Sequence, residues 1–175
     1  VDERFFDGIV WHRVDDGFVI QGGAFQRRAE GLVERSGVRP PIQSEANNGR
    51  SNIRGTVAMA LRGTDANSGT NQFFVNLGDN SGLDNGSPPF TVFAEVVEGL
   101  NVVDDIGTVG VGTDDFSGLS DVPLVDIVMS RVRRETESAG GTIAKFASAG
   151  NDDRTARLFH TATLMDNLEQ PIALI

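Results

Sequence analysis

The sequence predicts a mainly β domain of the antiparallel barrel type, and three observations carry that prediction. Short runs rich in Val, Ile, Phe and Thr recur along the chain, clusters of Gly, Asp, Asn and Pro separate them, and helical patterning is confined to one short stretch near residues 99–106. Many short strands between turn signals suit a barrel better than an alternation of helix and strand.

The elements follow in order. Residues 9–14 (IVWHRV) and 18–21 (FVIQ) are apolar runs on either side of Asp15-Asp16-Gly17, the pattern of a β-hairpin. Successive side chains of a strand face opposite ways, so Trp11 and Arg13 share one face while Val10, His12 and Val14 share the other. A two-residue turn at Asp16-Gly17 sets Arg13 opposite Ile20, and a three-residue loop Asp16-Gly17-Phe18 sets it opposite Gln21; the residues allow both. Residues 27–52 are polar, include Pro40 and Pro41 and show little apolar periodicity, which predicts a long surface loop. Residues 55–60 read as a strand, 61–70 as a loop, and 72–75 as a strand with Gln72 and Phe74 on one face. A turn cluster at 78–89, an alternating strand at 90–97, a short helical turn at 99–106 and a final strand at 124–132 complete the domain. Residues 136–142 (TESAGGT) have linker composition, and 143–175 read as a tail or a fragment of an adjoining domain. Within that tail, 157–165 (RLFHTATLM) carries a faint likeness to kelch-type strands.

A chain of 175 residues with 39% hydrophobic composition suits one globular domain with a real core. The 25 acidic against 15 basic residues give a net charge of -10, which repels phosphate backbones and anionic lipid and so counts against nucleic-acid and membrane partners. The absence of cysteine removes thiol nucleophiles and thiolate metal sites without fixing a compartment. No apolar run approaches the roughly 18 residues of a membrane span.

The hairpin carries a recognisable order: Trp11-His12-Arg13-Val14, then Phe18-Val19-Ile20-Gln21-Gly22-Gly23, then Phe25. EANNGRSNIRGTVAMA (45–60), NQFFVN (71–76) and FTVFAEVVEGLNVVDDI (90–106) follow it. Together these stretches resemble the cyclophilin family of peptidyl-prolyl cis-trans isomerases, in its bacterial branch, over residues 1–135. The resemblance implies the register that sets Arg13 opposite Gln21. It implies a cyclophilin-like antiparallel β-barrel, incomplete here, because family members begin with two further strands and most of a helix. By that count the chain is N-terminally truncated, holds about six of eight strands, and leaves the strand at 124–132 and one other with unpaired edges.

The activity so implied is rotation of Xaa-Pro bonds in peptides and unfolded proteins, with no cofactor and no metal. Resonance gives the prolyl amide a rotation barrier of about 18–20 kcal/mol, and the nitrogen recovers its lone pair only in the twisted state. A donor aimed at that nitrogen binds the transition state better than either planar form. By resemblance Arg13 is that donor, Gln21 holds Arg13 and the substrate backbone, and Phe18 completes the catalytic set. Val19, Phe74 and Leu83 join Phe18 in gripping the proline ring, Ala60 lies at the floor of a neighbouring groove, and Phe90 keeps an apolar wall. Val19 replaces a methionine of the family pattern, Phe90 a histidine or tyrosine, and Gly82 an aromatic ring that helps bind cyclosporin. Cyclosporin binding is therefore expected to be weak.

Each residue also has a plainer reading. A lone strand arginine or glutamine is ordinarily solvated, and phenylalanines at strand spacing are ordinarily core, as Phe73 is taken to be. His12 and His160 lie far apart with no serine motif, and His12, on the face opposite Arg13, reads as a satisfied core histidine. Asp104-Asp105 and Asp114-Asp115 lack calcium-loop spacing and read as solvated loop charge. The competing functions are a non-catalytic proline-peptide binding module within a larger protein and a structural β domain.

Overall fold

The computed structural model describes residues 4–136, 142–147, 160–161 and 172–174. The opening hairpin is built from β1 (Ile9–Val10), β2 (Arg13–Asp15) and β3 (Val19–Gly22). Arg13 pairs with Gln21, Val14 with Ile20 and Asp15 with Val19, so the three-residue loop is the one formed, closed by Phe18 N–H donating to the Asp15 carbonyl at 2.9 Å. The Gly-Gly pair that follows has a steric cause. A Cβ at Gly22 would overlap Met129 and crowd Trp11, while Gly23 has φ 103 and lies against the Asn71 carbonyl.

The expected loop at 27–52 is corrected at its start. A second hairpin, β4 (Phe25–Arg28) with β5 (Gly31–Glu34), occupies it. Its anchors are ionic rather than apolar. Arg27 Nη1 donates to Asp114 at 2.5 Å and Nε to Asp126 at 2.9 Å, and only Leu32 buries a large apolar side chain, against Val10 and Val122. Asp114 is therefore no solvated loop charge: its carboxylate, buried, also accepts from Ser117 and from the Leu32 amide. Those bonds, chiefly from Ser117, hold its pKa well below the ordinary carboxylate range. Asp104 does lie exposed, paired with Arg54.

The remaining elements are β6 (Thr56–Met59), β7 (Phe73–Asn76), β8 (Val92–Glu98), α1 (Leu100–Gly107), β9 (Val111–Gly112), β10 (Val122–Pro123), β11 (Ile127–Met129), β12 (Arg131–Thr136), β13 (Thr142–Ala147), β14 (His160–Thr161) and β15 (Ile172–Leu174). Eight strands form one antiparallel sheet in the order β12-β13-β15-β8-β6-β7-β3-β2, and β1, β11 and β14 form a smaller one. Among the described residues the large sheet has two ends, β12 and β2, and does not close on itself. The expected open edge of the final strand is corrected over its first part only, since β12 is an end of the large sheet among the described residues. The single run 124–132 divides into β11, which pairs with β1 and β14, and β12, which pairs with β13. A bidentate ion pair from Arg133 to Asp7 at 2.7 Å ties β12 to the start of the described chain. Most of the linker reading at 136–142 and of the kelch-like stretch at 157–165 lies outside the described residues.

Side-chain alternation divides the interior. Trp11, Ile20, Phe73 and Val75 pack with Val102, Val103 and Ile106 of α1 to form the main core. Helix α1 begins after Gly99, which at φ 79 turns the chain out of β8, and lays one apolar face on the sheet. The neighbouring Phe74 faces the other way, into a second cluster. No helix among the described residues is long and apolar enough to cross a membrane.

Candidate active site

The second cluster gathers the apolar residues singled out in the sequence. Val19 and Phe74 are buried in it, and Phe18, Ala60, Leu83 and Phe90 pack against it while keeping part of their surface in solvent. The Phe74 and Phe90 rings meet edge to face at 5.6 Å. Ala58 and Val92, buried behind them, complete the group and were not foreseen; both lie on the same strand faces as Ala60 and Phe90, so period-two alternation was the available signal. The outcome is a cluster whose floor is buried and whose rim is open.

Arg13 lies beside this rim. Its guanidinium carbon is 5.9 Å from the centre of the Phe18 ring, its Nη2 donates to Asp15 Oδ2 at 2.6 Å, and its Nε is 4.0 Å from Asp121 Oδ2. About a third of the side chain is exposed, 34%. The resemblance assigns to Gln21 the task of holding Arg13, and here the geometry differs. The two residues are cross-strand neighbours, but the Gln21 amide donates to Gln72 Oε1 at 2.9 Å and the arginine is bonded to Asp15.

His12 sits behind this layer with its ring against Phe25 at 4.8 Å, and is 4% exposed. Burial, and then the charge of Arg13, pull its pKa from the ordinary 6.5 down to about 4, against smaller opposing contributions from Gln72 and the Val10 backbone. It is neutral at pH 7. The expectation of a fully satisfied core histidine is corrected at one atom, since its Nδ1 meets no partner in hydrogen-bonding geometry among the described residues.

A buried polar network supports the rim from below. Asn80 donates to the Phe18 carbonyl at 2.9 Å and to Asn76 at 2.8 Å, Asn76 donates to Asn52 at 3.2 Å, and Asn52 donates to the Phe90 carbonyl at 3.1 Å and to Asp84 at 2.8 Å. It thus fixes the backbone at two rim residues, while Leu83 is set by its amide on Asn80 and its carbonyl on Phe90. Burial raises the Asp84 pKa, but the bonds from Ser51 and Asn52 outweigh it and the net shift is downward. Sequence reasoning missed these asparagines. Asn52 and Asn76 are fully buried, and only their place within the matched stretches marked them. No group of three His, Cys, Asp or Glu side chains among the described residues is placed to hold a metal.

The site is thus a cationic side chain at the rim of an apolar cluster, on a mainly β scaffold. Comparison with known proteins is specific. The family described as "Cyclophilin type peptidyl-prolyl cis-trans isomerase/CLD" matches residues 1–134. The chain is 38% identical over 135 residues to peptidyl-prolyl cis-trans isomerase A of Dickeya dadantii (strain 3937), covering 76% of this chain and 67% of that one. It is 42% identical over 136 residues to peptidyl-prolyl cis-trans isomerase B of Escherichia coli (strain K12), covering 74% and 78%. A crystal structure of a cyclophilin-type isomerase from Cryptosporidium parvum superposes with a TM-score of 0.56 at 18% identity, over 74% of this chain and 76% of that one, which shows the fold. This chain belongs to the cyclophilin-type peptidyl-prolyl cis-trans isomerase family. It is an enzyme that accelerates rotation about the peptide bond preceding proline.

Proposed function

We propose that Arg13 is the residue through which this chain lowers the rotation barrier, with Phe18, Val19, Phe74, Leu83 and Phe90 gripping the proline ring, Ala60 flooring the adjoining groove, and Gln21 contacting the peptide backbone. The observation that carries this reading is the placement of the Arg13 guanidinium against Phe18, at the rim of the apolar cluster. A ring held in the cluster brings its nitrogen beside a permanently charged donor. As the amide twists, the lone pair localises on nitrogen and the hydrogen bond strengthens, so the contact favours the transition state over both ground states. No proton is transferred and no covalent bond is made.

The substrates we propose are proline-containing peptides and unfolded chains, hence a role in assisting folding. The Cryptosporidium parvum relative was crystallised in the presence of the dipeptide Ala-Pro. We place the site within residues 1–135 and read that part as an incomplete cyclophilin-like barrel of about six strands out of eight, those being β2, β3, β6, β7, β8 and β12 of the large sheet. Beyond the linker, β13 and β15 lie between β12 and β8, which supports counting these two strands with the sheet. Cyclosporin is proposed to bind weakly, because Gly82 offers no ring.

The test is a protease-coupled isomerisation assay on a short prolyl peptide with Arg13→Ala and Arg13→Lys. Both are expected to lose most turnover while peptide affinity, measured by NMR titration, stays within a few-fold, since the fork geometry is absent in lysine. Equal losses of turnover and affinity would assign Arg13 to ground-state binding and sink the proposal.

A further inference from the structure

Arg13 is long, flexible and partly exposed, yet the reading above needs its guanidinium held in one orientation. The residue expected to hold it, Gln21, is engaged with Gln72. Three groups confine the guanidinium. Asp15 accepts from Nη2 at 2.6 Å, the Phe18 ring lies 5.9 Å from the guanidinium carbon, and Asp121 stands 4.0 Å from Nε. Asp15 reaches it because residues two apart on a strand share a face, so β2 presents the carboxylate and the arginine side by side. Asp121 is kept nearby by its own carbonyl, which accepts from the Val14 amide at 2.8 Å.

We propose that Asp15 is a positioning residue for the isomerisation: it takes one N–H of Nη2 and so fixes the plane of the guanidinium, leaving both Nη1 hydrogens and the second Nη2 hydrogen to the substrate. Arginine cannot lose its proton, so the carboxylate orients the group without switching it off. Both partners are about one-third exposed or more, 34% and 40%, where an ion pair contributes little to global stability. What such a pair does supply is a restricted rotamer, and in a positioned catalyst that restriction lowers the barrier rather than tightening ground-state binding. The apolar cluster, which grips the ring, does not involve Asp15.

This inference rests on Arg13 being the donor, and the experiment separates the two. Turnover by the coupled assay and peptide affinity by NMR titration are measured for Asp15→Ala, Asp15→Asn, Asp15→Glu, Arg13→Ala and the Arg13→Ala/Asp15→Ala double variant. Asp15→Ala is expected to lower kcat about fivefold with affinity within about twofold, Asp15→Glu to recover at least half of that loss, and the double variant to match Arg13→Ala alone. Asp15→Asn keeps the side-chain shape and covers the case in which the alanine variant folds poorly. If Asp15→Ala and Asp15→Asn turn over as fast as the parent or faster while Arg13→Ala is inactive, Asp15 competes with substrate or is idle and the inference falls alone. If Arg13→Ala keeps full turnover, the reading of the site falls with it. A loss in Asp15→Ala that Asp15→Glu does not restore, or that follows the thermal midpoint across the set, also overturns it.

Discussion

Phe73 and Phe74 are adjacent on one strand and belong to different halves of the molecule. Phe73 packs with Trp11 at 5.5 Å and Phe6 at 5.8 Å in a core that α1 closes; Phe74 packs with Phe90 at 5.6 Å in a cluster whose rim stays open. The closed half ends in helix, and the open half ends in solvent beside an arginine. One strand therefore folds the protein with one face and equips it with the other, and the two faces should fail in different ways when broken.

Phe73→Ala should give the largest effect: about 3–5 kcal/mol of stability lost by urea unfolding, from a cavity that the core cannot refill, with turnover per folded molecule preserved. Phe74→Ala should invert that profile, losing less stability and weakening peptide affinity about tenfold, because part of its packing is with an open rim. Matching profiles from the two variants would erase the distinction. Arg13→Ala should come next, lowering kcat/KM about 100-fold, or about 2.7 kcal/mol, with the unfolding midpoint unmoved.

His12, buried against Phe25, probes a different kind of interior. Its pKa is depressed to about 4, so on acidification the unfolded chain takes up its proton first, near the ordinary 6.5. The stabilising contribution of the neutral ring is complete above pH 6.5 and is lost as pH falls from there to about 4, a change of about 3 kcal/mol. Urea unfolding of the parent and of His12→Gln at pH 7 and pH 4.5 checks this: the variant should show the flatter dependence, and parallel losses would exclude His12 as the source. The smallest effect concerns the rim. No described residue comes within 4 Å of where a Cβ on Gly82 would stand, so Gly82→Trp should fold normally and tighten cyclosporin binding about fivefold, with peptide turnover nearly unchanged. An inhibitor titration in which the parent already binds as tightly as the variant would remove the proposed role of the missing ring.

The apolar side of the site was legible through the likeness to a family, which put Phe74 with Val19, and strand alternation agreed by turning Phe73 the other way, into the core. The register of the first hairpin was not: spacing left Arg13 opposite Ile20 or Gln21, and only the likeness to a family chose between them. The β4–β5 hairpin escaped because Arg27 and Asp114 anchor it, and anchors of that kind look like solvated charge until their partners are seen. The bond from Arg13 to Asp15 had a legible cause, a shared strand face, but Asp15 was absorbed into a turn cluster. The buried asparagines and the pairing of β15 with β8 join residues far apart along the chain, which no local pattern encodes.

That last pairing has a consequence for how the molecule is made. Strand β8 ends at Glu98 and its partner β15 begins at Ile172. At a synthesis rate of about 5–20 residues per second, one edge of β8 waits about 4–15 s for its partner to emerge from the ribosome. Through that interval the backbone of a long strand is open to other nascent chains. The end of β8 at Val96–Glu98 is thus among the last stretches of the sheet to be covered, and production of active protein should respond to translation speed more sharply than the finished fold responds to heat.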